Sequence, residues 1–187
     1  MKKNIISLSL NLLIFFLFTT QSNASDQAWN IAKEGNKIIL IRHSLAPGGG
    51  DPVSFKIDDC KTQRNLNRVG INQSKKIGNF FRQYKVPVDQ VLSSQWCRCK
   101  DTAKHAFGDF KEFAALNSTF QSPHDKNEEK QLNDLYDYVK KWDGKGKNLV
   151  LVTHYSIITA VTNAVPSSGE IVITNKDFDV LGSIQTD

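Results

Sequence analysis

Two apolar stretches of the chain each end in a histidine. Residues 37–42 precede His43, and residues 148–153 precede His154. Short apolar runs rich in β-branched residues are typical of buried strands, and ligands of open α/β sheets bind at the carboxyl ends of such strands. A single histidine after a strand is more often a structural hydrogen-bonding residue. Two of them at equivalent strand ends favour a shared site.

Two arginines accompany these histidines. Arg42 directly precedes His43, and Arg98 lies in the first turn of a helix that is predicted to follow another strand. Arginine donates paired hydrogen bonds to phosphate oxygens, and a helix N-terminus adds backbone donors and a favourable dipole. Two arginines and two histidines at one sheet edge therefore predict a site for an anionic phosphoryl group.

The rest of the pattern predicts the elements that position these residues. We expect strands over residues 37–42, 90–93, 112–116, 148–153, 170–174 and 180–184, and helices over 28–34, 66–84, 95–107, 132–142 and 156–163. Strands that alternate with helices indicate a single α/β domain with a largely parallel sheet. The three glycines at 48–50 do not match a nucleotide P-loop, because no Gly-Lys-Ser/Thr follows them, and they predict a mobile lid or a plain turn.

Four segments, in order along the chain, carry a resemblance to the histidine phosphatase superfamily, the phosphoglycerate mutase-like group. They span residues 37–160. They are Arg42-His43-Ser44, where the family has Arg-His-Gly; Leu66-Asn67 with Gly70, Gln73, Ser74 and Gly78; Ser94 to Ala103 with Arg98, and with Asp101 in place of a glutamine; and Val152-Thr153-His154-Tyr155 up to Ile158. The resemblance implies a three-layer α/β/α sandwich.

The resemblance also implies a covalent mechanism. His43 attacks phosphorus in line and becomes a phosphohistidine, which water then hydrolyses. Because only an unprotonated imidazole nitrogen attacks, we expect a backbone hydrogen bond to fix the other nitrogen. Arg42, Arg98 and His154 are expected to surround the equatorial phosphoryl oxygens, so no metal or other cofactor is expected.

Three further residues are expected to contact the substrate or shape its pocket. Ser44 is a candidate to donate a hydrogen bond at the pocket edge, although the favoured role is simply to turn the chain. Arg64 is expected to contact phosphate or substrate, with a surface arginine at a helix start as the alternative. Tyr155 replaces the usual glycine after the second histidine and either narrows the pocket or stacks on the substrate.

The proton donor of many family phosphatases has no equivalent at the aligned position, which reads Leu116-Asn117-Ser118. Four other residues remain candidates for this role, although each is more simply a surface or loop residue: Asp125, Glu128, His124 and Glu170. Without such an acid, the enzyme would favour a leaving group that departs without protonation, as from a phosphoramidate or an acyl phosphate.

Exported relatives, the lipopolysaccharide core heptose phosphatases, are similar to this chain in motif layout and compartment. This similarity predicts a small phosphorylated substrate, with envelope sugar phosphates as its class. The alternative is a non-catalytic protein that binds a phosphorylated ligand, or acts as a sensor, through the same pocket.

The first 24 residues have the order of a secretory signal peptide. Lys2 and Lys3 precede an apolar run over residues 5–18, and small residues at Ser22 and Ala24 precede the predicted cut. The run is shorter than the ~20 residues that span a bilayer. We therefore expect a mature domain of residues 25–187 that is periplasmic or secreted and has no stable membrane insertion.

Charge excludes one further class of partner. Of the 24 basic residues, two lysines leave with residues 1–24, so that 22 basic against 19 acidic residues give a net charge of +3. No basic cluster is interleaved with aromatic residues, and nucleic acid is therefore not an expected partner.

The three cysteines permit at most one internal disulfide, which an oxidising compartment would preserve. Cys97 and Cys99 are too close for an easy mutual bridge, so Cys60 is expected to pair with one of them. A zinc site built from these cysteines and His105 is the alternative, but it lacks the paired spacing of structural zinc sites.

Overall fold

A computed structural model describes residues 24–187, and the predicted signal peptide lies outside these residues apart from Ala24. The helices and strands alternate along most of the chain. They are α1 (residues 24–33), β1 (Ile38–Arg42), α2 (Arg68–Gln83), β2 (Val88–Ser93), α3 (Cys97–Phe107), β3 (Lys111–Glu112), α4 (Glu128–Lys141), β4 (Asn148–Thr153), α5 (Tyr155–Thr162), β5 (Ile171–Thr174) and β6 (Val180–Ile184).

The six strands form one sheet in the order β3-β2-β4-β1-β5-β6. The pairs β3–β2, β2–β4 and β4–β1 are parallel, whereas β5 and β6 join the far edge as antiparallel strands. The largely parallel α/β sheet that the sequence predicts is therefore confirmed. No helix within residues 24–187 is long and apolar enough to cross a membrane.

Helices cover both faces of the sheet, which makes the three-layer sandwich. Successive side chains of a strand point to opposite faces. Ile39 and Ile41 of β1 accordingly pack in the cluster with α1, α2 and α3, whereas Ile38 and Leu40 pack in the cluster with α4 and α5. All four of these β1 side chains are fully buried. Strands buried on both faces explain why β1 and β4 read as continuous apolar runs rather than alternating ones.

Two details of the predicted elements differ from the structure. The spacing of the apolar residues within 66–84 predicts one buried helix face that includes Val69, but Val69 is 60% exposed. Gly70 takes the buried position, and a Cβ there would lie 2.1 Å from the carbonyl oxygen of Leu45. The strand predicted over residues 112–116 ends at Glu112 and gives way to a 3₁₀ helix, Ala114–Leu116, because Leu116 turns inward and is completely buried.

Candidate active site

The parallel pairing of β1 with β4 brings the two histidines together. Arg42 and Thr153 are register partners, so the next residue of each strand lies at the same edge of the sheet. His43 N–H donates to the carbonyl oxygen of Thr153 at 2.9 Å. The rings of His43 and His154 are consequently 5.5 Å apart between centroids and inclined at 68°. The two histidines that follow β1 and β4 thus lie side by side at one edge of the sheet.

A backbone hydrogen bond fixes the protonation of His43. Its Nδ1 lies 2.8 Å from the carbonyl oxygen of Ser44. Because a carbonyl only accepts, we assign the ring proton to Nδ1, which leaves the Nε2 lone pair free. Burial, and then the charge of Arg98, lower the pKa of His43 well below its ordinary value. His43 is therefore neutral at pH 7 and has an available nucleophilic nitrogen.

His154 is held in the opposite tautomer by a chain of hydrogen bonds. Arg98 Nη2 donates to Nδ1 at 3.4 Å, so the ring proton belongs on Nε2, which lies 2.8 Å from Ser94 Oγ. The Ser94 hydroxyl in turn donates to Asn117 Oδ1 at 3.2 Å. Burial, followed by the charge of Arg98, lowers the pKa of His154 well below its ordinary value. Both histidines are thus neutral in the absence of an anion.

Arg98 forms a buried ion pair with Asp51, a residue that no sequence motif marks. Arg98 Nη1 and Nη2 donate to the two carboxylate oxygens at 2.7 and 3.1 Å. Burial by itself raises the pKa of Asp51, but the hydrogen bonds and charge of Arg98 outweigh it and keep the pKa below its ordinary value. Asp51 is therefore ionised.

Arg42 and Arg64 complete the positive wall of the site. Arg42 Nη1 donates to the carbonyl oxygen of Pro166 at 2.8 Å, and its guanidinium lies 5.8 Å from the ring centroid of Tyr155. Arg64 Nε donates to the carbonyl oxygen of Gly50 at 2.7 Å. Two of the arginine Nε atoms, those of Arg42 and Arg98, are buried without a hydrogen-bond partner within residues 24–187. These N–H groups are donors that lack an acceptor, which a phosphoryl oxygen would provide.

These side chains line one cavity of about 130 Å³. Of the seven residues predicted to form the site, the structure brings six to this cavity: Arg42, His43, Arg64, Arg98, His154 and Tyr155. Several other lining residues were not predicted from the sequence, including Asp51, Ser118, Phe120, Gln121 and Ser156. Most of these lie in loops without periodicity, and Ser156 is in the first turn of α5. No motif marks their positions.

Ser44 does not line the cavity. Its side chain is completely buried behind His43, where its hydroxyl accepts a hydrogen bond from Ser74 Oγ at 2.8 Å. The backbone N–H of Ser44 donates to Thr102 Oγ1 at 3.0 Å. The pocket-edge position expected for Ser44 is therefore wrong, and its observed role is to fix the turn after β1.

None of the four candidate proton donors lines the cavity. His124 packs its ring against Trp96, with centroids 5.2 Å apart. Glu128 accepts a hydrogen bond from Thr119 Oγ1 at 2.7 Å, and Glu170 accepts one from the backbone N–H of Ser167 at 2.8 Å. Asp125 is exposed on the surface.

The disulfide joins Cys60 to Cys97, with Cα atoms 5.7 Å apart. Of the two partners that the sequence left open for Cys60, the structure selects Cys97, and Cys99 is a buried free thiol. Because two of the three cysteines are bridged, the alternative zinc site is excluded. The bridge ties the loop after His43 to the first residue of α3, next to Arg98.

Comparison with solved structures shows that this fold is shared with histidine phosphatases. The SixA protein from Agrobacterium tumefaciens superposes with a TM-score of 0.55 and 15% identity, covering 81% of this chain and 99% of that one. A protein histidine phosphatase SixA complexed with tungstate gives 0.54 and 12% identity, covering 80% and 97%. Phosphoglycerate mutase from Thermus thermophilus gives 0.53 and 15% identity, covering 81% and 99%. No protein-family model and no curated protein sequence matches this chain.

Proposed function

We propose that this protein is an exported, metal-independent phosphatase that works through a phosphohistidine on His43. One observation carries the proposal. His43, whose Nε2 is unprotonated, lines a cavity together with three arginines, two of which have buried N–H groups without an acceptor in the described residues. A neutral nucleophile beside unsatisfied cationic donors suits a phosphoryl dianion.

In the proposed first step, His43 Nε2 attacks phosphorus as the bond to the leaving group breaks. The Nε2–P bond forms, and the leaving group takes the bonding electron pair. Arg42 and Arg98 donate to the equatorial oxygens through the N–H groups that now lack partners. The incoming negative charge also favours a proton on Nδ1 of His154, which would then give up its contact with Arg98 Nη2 and donate to the same oxygens. In the second step a water oxygen attacks phosphorus, the P–N bond breaks, and inorganic phosphate and neutral His43 are regenerated.

The leaving group narrows the substrate class. Asp51 is the one carboxylate among the described residues that line the cavity, and its ion pair with Arg98 keeps it ionised. A group that is ionised at pH 7 cannot act as a general acid, so the proposed substrates are those whose leaving group departs without a protein acid. Acyl phosphates and phosphoramidates belong to this class, and SixA in the comparison is a protein histidine phosphatase. An envelope sugar phosphate, the class implied by resemblance, would release a basic alkoxide and belongs on the test panel.

The direct test is hydrolysis of p-nitrophenyl phosphate in the presence of EDTA. We expect activity in the wild type and its loss in His43→Ala. The matched control is His105→Ala, which replaces a half-buried histidine of α3 outside the cavity. Equal activity in His43→Ala and wild type would refute the covalent role. A panel of aryl, sugar, acyl and phosphoramidate substrates should show rates that fall steeply as the leaving group becomes more basic.

A non-catalytic phosphate binder is the second candidate, and the absence of a free carboxylic acid from the described cavity wall favours it. Calorimetric binding of phosphate or vanadate without turnover on the whole panel would support this function over the phosphatase. Localisation is a separate measurement: fractionation of cells should place the protein in the periplasm or medium. The Cys60–Cys97 bridge supports such an oxidising compartment.

A further inference from the structure

The Asp51 carboxylate accepts hydrogen bonds from both terminal nitrogens of Arg98 and is itself buried. The side chains of Arg98 and Asp51 are only 3% and 8% exposed. The Trp96 indole N–H donates to Asp51 Oδ2 at 3.0 Å, and the backbone N–H of Arg64 donates to Oδ1 at 3.3 Å. With two further bonds from Arg98, each carboxylate oxygen accepts two hydrogen bonds. The acceptor capacity of this carboxylate is therefore full.

The backbone around Asp51 is held as firmly as its side chain. Gln121 Oε1 accepts from the N–H of Asp51 at 2.9 Å, and Gln121 Nε2 donates to its carbonyl oxygen at 3.3 Å. Arg64 Nε donates to the carbonyl oxygen of the preceding residue, Gly50. The turn that the sequence indicated as a mobile lid or a plain turn is thus anchored on both sides of the carboxylate.

These contacts leave one N–H group of Arg98, that of Nε, without a partner in the described residues. Nη1 and Nη2 are both occupied by Asp51, and Nη2 also approaches His154 Nδ1. The Nε–H is buried and has no partner within the described chain. A guanidinium is planar, so holding its two terminal nitrogens fixes the direction of the Nε–H bond.

We propose that Asp51 is a positioning residue that sets the guanidinium plane of Arg98, so that its Nε–H and the adjacent His154 face the phosphoryl group. The inference rests on the proposed function, because it assigns Arg98 to phosphoryl binding. A negative charge in an anion site otherwise weakens the binding of an anion. Asp51 therefore makes opposite contributions: its charge repels phosphate, whereas its geometry prepares Arg98, and we infer that the geometric contribution is the larger.

The test is calorimetric titration of the folded protein with inorganic phosphate and orthovanadate. Asp51→Asn retains the size of the side chain but removes the charge and places an NH₂ group against a guanidinium donor. We expect the Kd for both anions to rise about tenfold to hundredfold, the range for losing one hydrogen bond to a charged group. Tighter binding in Asp51→Asn would overturn the inference, because it would show that the charge of Asp51 is the larger effect. An unchanged Kd would overturn it as well.

Two further variants separate positioning from general damage. Glu112→Gln is the matched control, because it removes an exposed ion pair, 3.1 Å long, that Glu112 makes with Lys100 of α3, the helix that also carries Arg98. This variant should leave the Kd unchanged. In an Arg98→Lys background, Asp51→Asn should no longer raise the Kd, because the guanidinium is already absent and only the repulsion by the Asp51 charge is removed. A rise in the Kd as large as in the protein that retains Arg98 would refute action through Arg98. If Asp51→Asn does not fold, Asp51→Glu is the substitute, because it keeps the negative charge but displaces the guanidinium of Arg98. The Kd of Asp51→Glu should also rise, and an unchanged Kd would overturn the inference.

Measuring phosphate binding and substrate turnover separately distinguishes failure of the Asp51 proposal from failure of the proposed phosphatase function. Wild-type protein that binds phosphate but hydrolyses no substrate would refute the phosphatase function and leave the Asp51 comparison intact. Wild-type protein that binds neither anion would overturn both proposals.

Discussion

Reduction of the Cys60–Cys97 disulfide should cost stability without dismantling the candidate site. The bridge closes a loop with a sequence separation of 37 residues. For a loop of that length, the loss of chain entropy in the unfolded state amounts to about 4 kcal/mol at 25 °C. We therefore expect the free energy of unfolding to fall by about 4 kcal/mol when the wild type is reduced.

The folded site should persist because other contacts hold the same segments together. Gln63 Oε1 accepts from the backbone N–H of Cys97 at 2.9 Å, and Asp51 retains Arg98. These contacts do not depend on the sulfur atoms. We therefore expect the phosphate Kd of the reduced, folded protein to change less than about threefold, well below the effect of displacing a binding group.

The assay is urea denaturation with and without reductant, followed by tryptophan fluorescence and paired with calorimetric phosphate titration. Cys60→Ala/Cys97→Ala is the matched control, since reductant should not change its stability. Thiol counting on the unfolded, unreduced wild type should find one thiol, that of Cys99. A stability loss below about 1 kcal/mol would refute the entropic argument, and a count of three thiols would refute the bridge itself.

Two further predictions concern buried polar groups. The pKa values of His43 and His154 lie well below the ordinary value of 6.5, chiefly because of burial and then the charge of Arg98. The free energy of unfolding should therefore be constant near neutral pH and fall as the pH drops below about 6.5, because the histidines of the unfolded chain bind protons that the folded ones exclude. Urea denaturation across this pH range in phosphate-free buffer measures the effect. Greater stability at about pH 5.5 than at about pH 7.5 would contradict it. Asn148 accepts from Lys37 N–H and donates to the carbonyl oxygens of Ala32 and Pro87. Asn148→Ala should cost about 2–4 kcal/mol in chemical denaturation, against about 0.5 kcal/mol or less for the exposed Asn133→Ala, and equal losses would contradict the hydrogen-bond argument.

The positions of His43 and His154 could be predicted because strand periodicity and parallel register are local properties. The predicted bounds of β4, residues 148–153, coincide with the observed Asn148–Thr153. Once two adjacent parallel strands both end in a histidine, the sheet itself determines that the two rings meet. The motif order likewise predicted the fold that the solved structures share.

Asp51 could not be predicted in the same way. Its loop lacks periodicity, and its position depends on Gln121, which is 70 residues further along the chain. The choice between Cys97 and Cys99 was equally inaccessible, because their spacing from Cys60 is nearly the same. It depends on which side of α3 faces the loop, a property of tertiary packing.

The arrangement of Cys97, Arg98 and Cys99 on α3 couples the choice of cysteine partner to the anion site. Residues two apart on a helix point to nearly opposite sides. Cys97 accordingly meets Cys60, whereas the Cys99 thiol is buried 3.5 Å from the carbonyl oxygen of Thr153, and burial raises its pKa to about 12. A bridge from Cys60 to Cys99 would require the first turn of α3 to unwind, and Arg98 would move with it. Mispaired molecules would thus lack an ordered anion site, whereas reduced molecules would keep it, so loss of phosphate affinity reports mispairing of the cysteines.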